Sequence, residues 1–531
     1  MLASLREKLA GMIAPKRVAA APVRPFEMRS YAGAQGGRLT AGWSLADSSA
    51  DAELRGAHRN LRNRSRSLVR DFGYAKRAKV IVTNNVVGAG IGMQAQVKNA
   101  RGRLETRIND EIEKAFQEWC RPEYCHTGGM LHFHDLERLT VGEIFEGGEQ
   151  LTRRHKRRFG GSPIAYALET IEPERIADEF SVPFANAGSA ELRNGIEVDS
   201  FYRPLGYWLR ERHPGDLRTA GNVTDRIVRV PADEIWHTYV INRWPQSRGE
   251  PWLHTAIRRL HDMDGYSESE IVAARSAASY MGFIKTPDNN PLPVDAESGG
   301  ERQIDFSPGM IEQLPPGSDI VMNNPNRPNP NMEPFMRLML REVASGVGVS
   351  YESLSRDYSQ SNYSSSRLAL LDDRDLWRVL QGWFIRTFRL PLHREWLSMA
   401  VLSRAIPSIS PEEYFLNPAK FEAVLFKPRG WGWVDPTKEV EAYKEAVRCG
   451  FTTRGRVISA TADGADIEDI DTEREQELAD AAAKGLHFDT DVQDPSEVSS
   501  ATSAPPAAGT ANQDDDDGPG DARVVPIRSV Q

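Results

Sequence analysis

The sequence predicts an α+β fold, with a β-rich middle set between two helical stretches. Three observations carry this. Ala52–Val87 and the set Ile108, Ile112, Phe116 and Trp119 place apolar residues at helical spacing. From Gly142 to about Ile241 the pattern changes to short alternating runs broken by turn residues. From Pro251 helical periodicity returns, reaching an aromatic-rich segment that holds Leu370, Trp377, Leu380, Trp383, Phe384 and Phe388.

The bulk composition narrows the function classes. A length of 531 residues is material for about three or four domains. No unbroken apolar run approaches the roughly 20 residues that cross a bilayer, so no membrane partner is expected. The N-terminus "MLASLREKLAGMIAPKR" has charges at Arg6, Glu7 and Lys8, which interrupt any signal-peptide apolar region. It reads as a short amphipathic helix or a loose arm. Three cysteines make no disulfide framework, which suits a reducing compartment. The net charge is -9, yet Thr461–Gln531 holds 18 acidic and 4 basic residues, a net of -14. The other 460 residues therefore carry -9 + 14 = +5. A mildly basic body meets nucleic acid without gripping it, because grip scales with the phosphates neutralised.

The elements run in this order. Residues 1–50, rich in Ala, Gly, Pro and Ser, read as a flexible arm. In Ala52–Val87 the basic residues Arg55, Arg59, Arg62, Arg64, Arg66, Arg70, Lys76, Arg77 and Lys79 alternate with Leu61, Leu68, Val69, Phe72 and Val80. This is either the solvated face of a packed helix or a surface that meets an acidic partner. "GAGIG" at Gly88–Gly92 is an ordinary turn, since its third glycine comes too early for a dinucleotide fingerprint. "CRPEYCHTGGMLHFHD" supplies Cys120, Cys125, His126, His132, His134 and Asp135, the best metal candidates in the chain. Cysteines five apart miss the usual close zinc spacing, and ordinary structure is the better account of them, so no metal and no cofactor is expected.

"NGIEVDSFYRPLGYWLRERHPGD" reads as a hairpin about its Tyr-Arg-Pro turn, and "RIVRVPADEIWHTYV" as strand–turn–strand. A helix starts near Pro251, and the capping-box spacing of Ser267 and Glu270 after Gly265 predicts a second one there. Lys285–Pro330 is rich in Pro, Gly and Asn, with a short β signal in "GMIEQLPPGSDIVM". A helix resumes at Met332 and stops at Gly346 or Gly348. After His487 the chain lacks core-forming periodicity and reads as a disordered acidic tail.

Between two strongly apolar helical segments lies "RDYSQSNYSSSR", Arg356–Arg367, with five serines, two tyrosines and no aliphatic side chain. One reading is a solvent-exposed connection with Ser364 or Ser365 as helix cap. The other is a surface of hydroxyls and amides that touches a polyanion weakly, through exchangeable and often water-bridged contacts that read no sequence.

Four blocks in order resemble the portal proteins of lambda-type tailed phages. They are "RSLVRDFGYAKRAKVIVTNNVVGAGI", "RPLGYWLRERHPGD", "RGEPWLHTAIRRLHDMDGYSESEIVAARSAASYMGFI" and "VGVSYESLSRDYSQSNYSSSRLALL". The resemblance covers roughly residues 50–400. It implies a portal fold of wing, stem, clip and crown, closing into a ring of about twelve subunits around a central channel. On this chain it implies an arm at 1–50, wing at 51–250, stem helices at 251–284 and 331–349, clip at 285–330, and a tunnel loop at 350–366. A wing-to-crown helix at 367–405, a crown at 406–486 and the tail at 487–531 complete it. Arg356, Asp357, Tyr358, Ser359, Gln360, Ser361, Asn362, Tyr363 and Ser364 would then face double-stranded DNA, without sequence preference. The further implied partners are the terminase large subunit, capsid and scaffold proteins, and a head–tail adaptor. The implied location is the portal vertex of the virion, after assembly in the bacterial cytoplasm. No Walker loop, Gly-x-Ser-x-Gly elbow or His-Glu-x-x-His motif is present, so no catalytic residue is expected. The alternatives are a capsid or head-completion component without a DNA channel, and a metal-dependent hydrolase built on Cys120–Asp135.

Overall fold

The computed structural model describes residues 38, 42, 47–181, 190–217, 226–279, 282–285, 319–322, 329–431, 436–461 and 466–486. The expectations for the arm before residue 47, for most of 286–328 and for the tail after residue 486 lie outside the described residues. Two compact units form, Met1–Val87 with Lys114–Asn417, and Gly88–Glu113 with Pro418–Gln531.

The first unit opens with helices α1 (Ala50–Asp71) and α2 (Gly73–Val86), separated at the extended residue Phe72. β1 (Gly92–Ala95) belongs to the second unit, and α3 (Thr106–Trp119) starts there and ends in the first. α4 spans Phe133–Gly147. Seven strands come next: β2 (Glu149–His155), β3 (Ala167–Ile171), β4 (Glu191–Arg193), β5 (Ile196–Val198), β6 (Pro204–Arg210), β7 (Ile227–Pro231) and β8 (Ile235–Tyr239). They make two antiparallel sheets, ordered β3-β2-β8 and β4-β5-β6-β7. The β5–β6 hairpin is the one expected about the Tyr-Arg-Pro turn. β7 and β8 are strand–turn–strand as expected, but the turn carries the chain from one sheet into the other. Leu151, Ile171, Ile196, Tyr207, Leu209, Val230 and Ile235 form one core joining both sheets, the solution for sheets that are apolar on one face.

α5 (Ile257–Ser279) and α6 (Met332–Val347) form an antiparallel hairpin. Thr255 Oγ1 donates to the Gly346 carbonyl at 3.2 Å and Arg259 Nε to Glu342 at 2.9 Å. Tyr266 and Phe335 meet ring to ring at 5.0 Å, and Asn329 donates to Glu270 at 3.1 Å. The far end continues as a two-stranded ribbon, β9 (Gly282–Lys285) with β10 (Asp319–Met322). The second helix expected at Ser267 does not start there, because α5 runs unbroken through Gly265. A mid-helix glycine costs only about 1 kcal/mol relative to alanine, and the partners of Tyr266 and Glu270 on the other arm hold the helix straight through it.

α7 (Tyr351–Ser355) and α8 (Tyr363–Phe384) come after the hairpin. A π-helical turn at Ile385–Arg389 leads into α9 (Leu390–Leu402). The wide turn has a local cause: Pro391 lacks an N–H, and its ring would strike the carbonyl four residues back in a regular helix. This long helix packs Trp396 edge-on to Phe116 at 5.0 Å, beside Trp119 and Phe133. The second unit pairs β1 with β11 (Val424–Lys427) and adds α10 (Pro436–Arg448), α11 (Arg454–Thr461) and α12 (Ile467–Lys484). Lys427 pairs with Asp466 at 2.6 Å there.

The basic helices bear out the solvated face of a packed helix only in part, since several of their cations are turned inward. The buried stripe of α1 contains His58, Arg62 and Ser65 as well as Leu54 and Val69. Arg62 pairs with Glu174 at 3.0 Å, Arg66 with Glu143 and with Glu174 at 2.8 Å, and Lys79 with Glu146. Arg55, Arg59, Arg64 and Arg70 remain exposed. At the centre, Glu149 is wholly buried against Arg248, whose Nε donates to it at 2.8 Å. His237 lies at 2.9 Å, and the Gly249 N–H donates at 2.8 Å. Gly148, with φ 95°, and Gly249 let the two backbones close over this cluster: a Cβ on Gly249 would sit 2.1 Å from the Gly148 oxygen.

Removing one member of a buried pair typically costs about 3–5 kcal/mol, whereas replacing both by apolar groups costs far less. Arg248→Met is therefore expected to lower stability by about that amount, and Arg248→Met with Glu149→Leu to restore most of it, read by chemical denaturation. Equal losses in the single and double variants would refute the pairing account.

His58 gives a pH test. Burial, then the nearby Arg248, pushes its pKa down to about 4. Between the ordinary value near 6.5 and about 4, the unfolded chain takes up a proton that the folded chain refuses. Stability from this group is therefore lost as pH falls through that window, by on the order of 3 kcal/mol in full. Glu143, raised by burial to about 7 even beside Arg66, acts in the opposite direction. The readout is accordingly the difference between wild type and His58→Gln: the variant should lose less stability between pH 6.5 and 4.

Candidate functional site

The strip at Arg356–Ser364 joins the helical hairpin to the long helix. α6 ends at Gly348 in the left-handed region, φ 78°, with its N–H on the Ala344 carbonyl at 2.9 Å. Ser350 then opens the single turn of α7. Its N–H and hydroxyl donate to Asp373 of α8 at 2.9 and 2.6 Å, and the Ser353 hydroxyl donates to the same carboxylate at 3.2 Å. Burial pushes the Asp373 carboxyl up, and these donors work against that rise. Arg356 ends the turn with φ 58° and is exposed.

Asp357 organises the loop beyond that turn. Its carboxylate accepts from the Ser359 N–H at 3.0 Å, the Ser359 hydroxyl at 2.6 Å and the Tyr351 hydroxyl at 2.9 Å. Those bonds, with Ser359 foremost, hold its pKa down at about 2. Arg337 of α6 lies 3.5 Å away, so the loop is tied back to the hairpin. Ser361 donates to the Tyr358 carbonyl from its N–H at 3.2 Å and its hydroxyl at 3.0 Å. Asn362 caps α8: its side chain accepts from the Ser365 N–H at 2.8 Å, and the Ser365 hydroxyl accepts from the Asn362 N–H at 3.1 Å. The cap is thus Asn362, ahead of Ser364 or Ser365, because α8 begins at Tyr363. Tyr358, Ser359, Gln360, Asn362 and Ser364 are exposed, Asp357 and Ser361 half-buried. The strip is a short, internally bonded loop that presents hydroxyl and amide groups outward.

The cysteine–histidine segment is used differently. Cys120 and Cys125 are buried, and the Cys125 thiol reaches the carbonyls of Cys120 and Leu131, both at 3.4 Å. Burial raises both thiols, Cys125 to about 12. The His132 ring accepts from the His134 N–H at 3.3 Å as the cap of α4, and His134 pairs with Glu137 at 2.7 Å. Among the described residues no group of three or more His, Cys, Asp and Glu side chains is placed to hold a metal ion. Asp357, Asp373 and Arg337 are the residues whose structural roles sequence reasoning missed. Asp-x-Ser at 357–359 and the Asn362–Ser365 spacing are legible turn and cap signals, whereas Asp373 and Arg337 reach the strip only through the fold.

Residues 36–381 match the family model described as phage portal protein, lambda family. The chain is 28% identical over 452 residues to a probable portal protein of Halomonas phage phiHAP-1, covering 83% of this chain and 85% of that one. It is 21% identical over 505 residues to portal protein B of Escherichia phage lambda, covering 86% and 92%. Among solved structures, a chain in the neck of an empty GTA particle aligns with a TM-score of 0.40 at 16% identity, over 75% of this chain and 93% of that one. With the family model spanning residues 36–381, this chain belongs to the lambda family of phage portal proteins.

Proposed function

We infer that this portal protein closes into a ring of about twelve copies at one vertex of the virion, and that double-stranded DNA enters and leaves through its channel. The loop Arg356–Ser364 faces the duplex, the α5–α6 hairpin is the stem, and the ribbon β9–β10 leads into the clip. The observation that carries the reading is the loop itself, a rigid turn of hydroxyls and amides mounted where a helical hairpin meets a long helix. A channel surface must surround a polyanion and still let it slide; Arg356 is the loop's exposed cation, and the neutral groups beyond it add none of the salt-dependent drag of phosphate-gripping cations. The ATPase that drives translocation is a separate terminase chain, which docks on the ring before the head–tail adaptor replaces it. Assembly takes place in the bacterial cytoplasm, with capsid and scaffold proteins.

The hairpin supports ring closure. Leu340 and Val343 are buried within the unit, but Leu338 is 59% exposed and Phe335 43%, and Ile271 and Val272 of α5 also face outward. Apolar groups projecting from a slender hairpin suit burial against neighbouring copies. Leu338→Asp with Val272→Asp is therefore expected to leave the single chain folded and to abolish rings, read by mass measurement and electron microscopy. Rings of normal size from this variant would remove the hairpin from the subunit interface.

The loop gives the functional test. Alanine at Ser359, Gln360 and Ser361 should leave rings intact and lower packaged DNA, whereas Asn362→Ala should cost about 1 kcal/mol of stability through the lost cap. Gln360→Arg should assemble normally and slow packaging in a salt-dependent way. Each new phosphate contact adds roughly -0.9 to the slope of log affinity against log salt. Normal packaging by both the alanine and arginine variants would take the loop out of contact with DNA.

A further inference from the structure

The β-rich region holds a cavity of about 260 Å³ that DNA passage leaves unused. Ile196, Val198, Tyr202, Tyr207 and Pro245 form much of its apolar wall. Asp51 stiffens that wall. It accepts from the Ser247 N–H at 2.8 Å and hydroxyl at 2.9 Å, and it pairs at 3.2 Å with Arg193, whose guanidinium lies over the Tyr202 ring. A cavity of about 150 Å³ takes up benzene, so this one has room for a phenyl or isobutyl side chain. Of its lining, Trp244 is 65% exposed and Ile241 is exposed as well, and Phe201, next to Tyr202 in the chain, is 73% exposed. Such an apolar patch marks an interaction site more often than a solvated face. Beside it Arg203 packs along the Phe201 ring and makes no ion pair among the described residues.

The same unit carries a projection of opposite character. The short helix Pro411–Leu416 is capped by Ser410, whose hydroxyl accepts from the Glu413 N–H at 3.1 Å. Tyr414 is buried, and its hydroxyl donates to the Arg394 carbonyl at 3.5 Å, which fastens the helix to α9. Beyond that anchor Leu416 is 86% exposed, and Phe415 is exposed too. Glu412 and Glu413 are exposed beside them, and Glu412 makes no ion pair among the described residues. An acidic segment ending in two apolar side chains thus complements an apolar cavity with an unpaired cation at its rim. Both surfaces are open at once in the single chain, so the projection does not fill its own cavity. A ring joins two different surfaces of one chain at every interface. Apolar anchors entering a preformed pocket, ringed by polar contacts, supply most of the affinity of such a joint.

We propose that Glu412–Leu416 of one copy docks into this cavity of the next, with Phe415 and Leu416 entering the apolar mouth and Glu412 meeting Arg203. The inference rests on ring closure and names one contact within it. It is tested on the assembled full chain with p-benzoylphenylalanine in place of Leu416, by photo-crosslinking, peptide mapping by mass spectrometry, and electron microscopy of the same sample. The expected result is rings, with attachment to peptides spanning 196–207 and 238–247 in bands at multiples of the single-chain mass. Arg203→Glu should lower that yield several-fold, and Glu412→Arg added to it should restore the yield. Rings with attachment elsewhere, or with attachment in a band of single-chain mass, would overturn the contact and leave ring closure standing. So would a yield that Arg203→Glu does not lower or Glu412→Arg does not restore. A preparation without rings would overturn ring closure and this contact with it.

Discussion

The first unit is organised around a charge it hides. Glu149 begins the central strand of one sheet with no exposure to solvent, and burial alone would push its carboxyl up. Arg248, His58 and His237 more than offset that, holding it well below the ordinary carboxylate range. The four groups come from α1, β2, β8 and the loop before α5, so the pairing is satisfied only when these elements are correctly assembled. A buried pair of this kind adds little net stability over an apolar core, but it penalises every arrangement that leaves the carboxylate alone. The ion pairs of Arg62, Arg66 and Lys79 extend the same constraint along α1 and α2 to α4.

The α5–α6 hairpin grows out of this base. Arg248 sits just before Pro251, and the next helix is clamped to α6 at Thr255, Arg259, Tyr266 and Glu270 in turn. Asp357 then links the loop back to α6 through Arg337, and Asp373 links it forward to α8. The buried carboxylate, the hairpin and the hydroxyl loop are thus successive parts of one chain of contacts within the first unit.

Periodicity made much of this legible. The helices from Ala50 to Val86, the β5–β6 hairpin, α6 with its glycine stop and the long helix around Trp377 and Phe384 all stand where the pattern of apolar residues placed them, since each buries one face. What escaped was polar burial. Arg62 and Glu149 look like surface residues in a sequence, because the partner that makes burial tolerable lies about a hundred positions away. The break expected at Gly265 failed for a related reason: a local capping signal lost to contacts from Phe335 and Asn329. At the loop, composition located the strip, but its internal bonds needed the positions of Asp357, Arg337 and Asp373.

Those internal bonds determine which half of each hydroxyl remains available. Ser359 directs its proton to Asp357 and Ser361 directs its own to the Tyr358 carbonyl. What they turn outward is oxygen lone pairs. Phosphate oxygens are acceptors too, so at these two serines a duplex would be met through water, whereas the exposed Gln360 and Asn362 amides keep N–H groups to donate. A ring of such loops would offer a passing duplex fewer protons than its composition suggests, a bearing whose adhesion is lowered by two internal bonds per subunit.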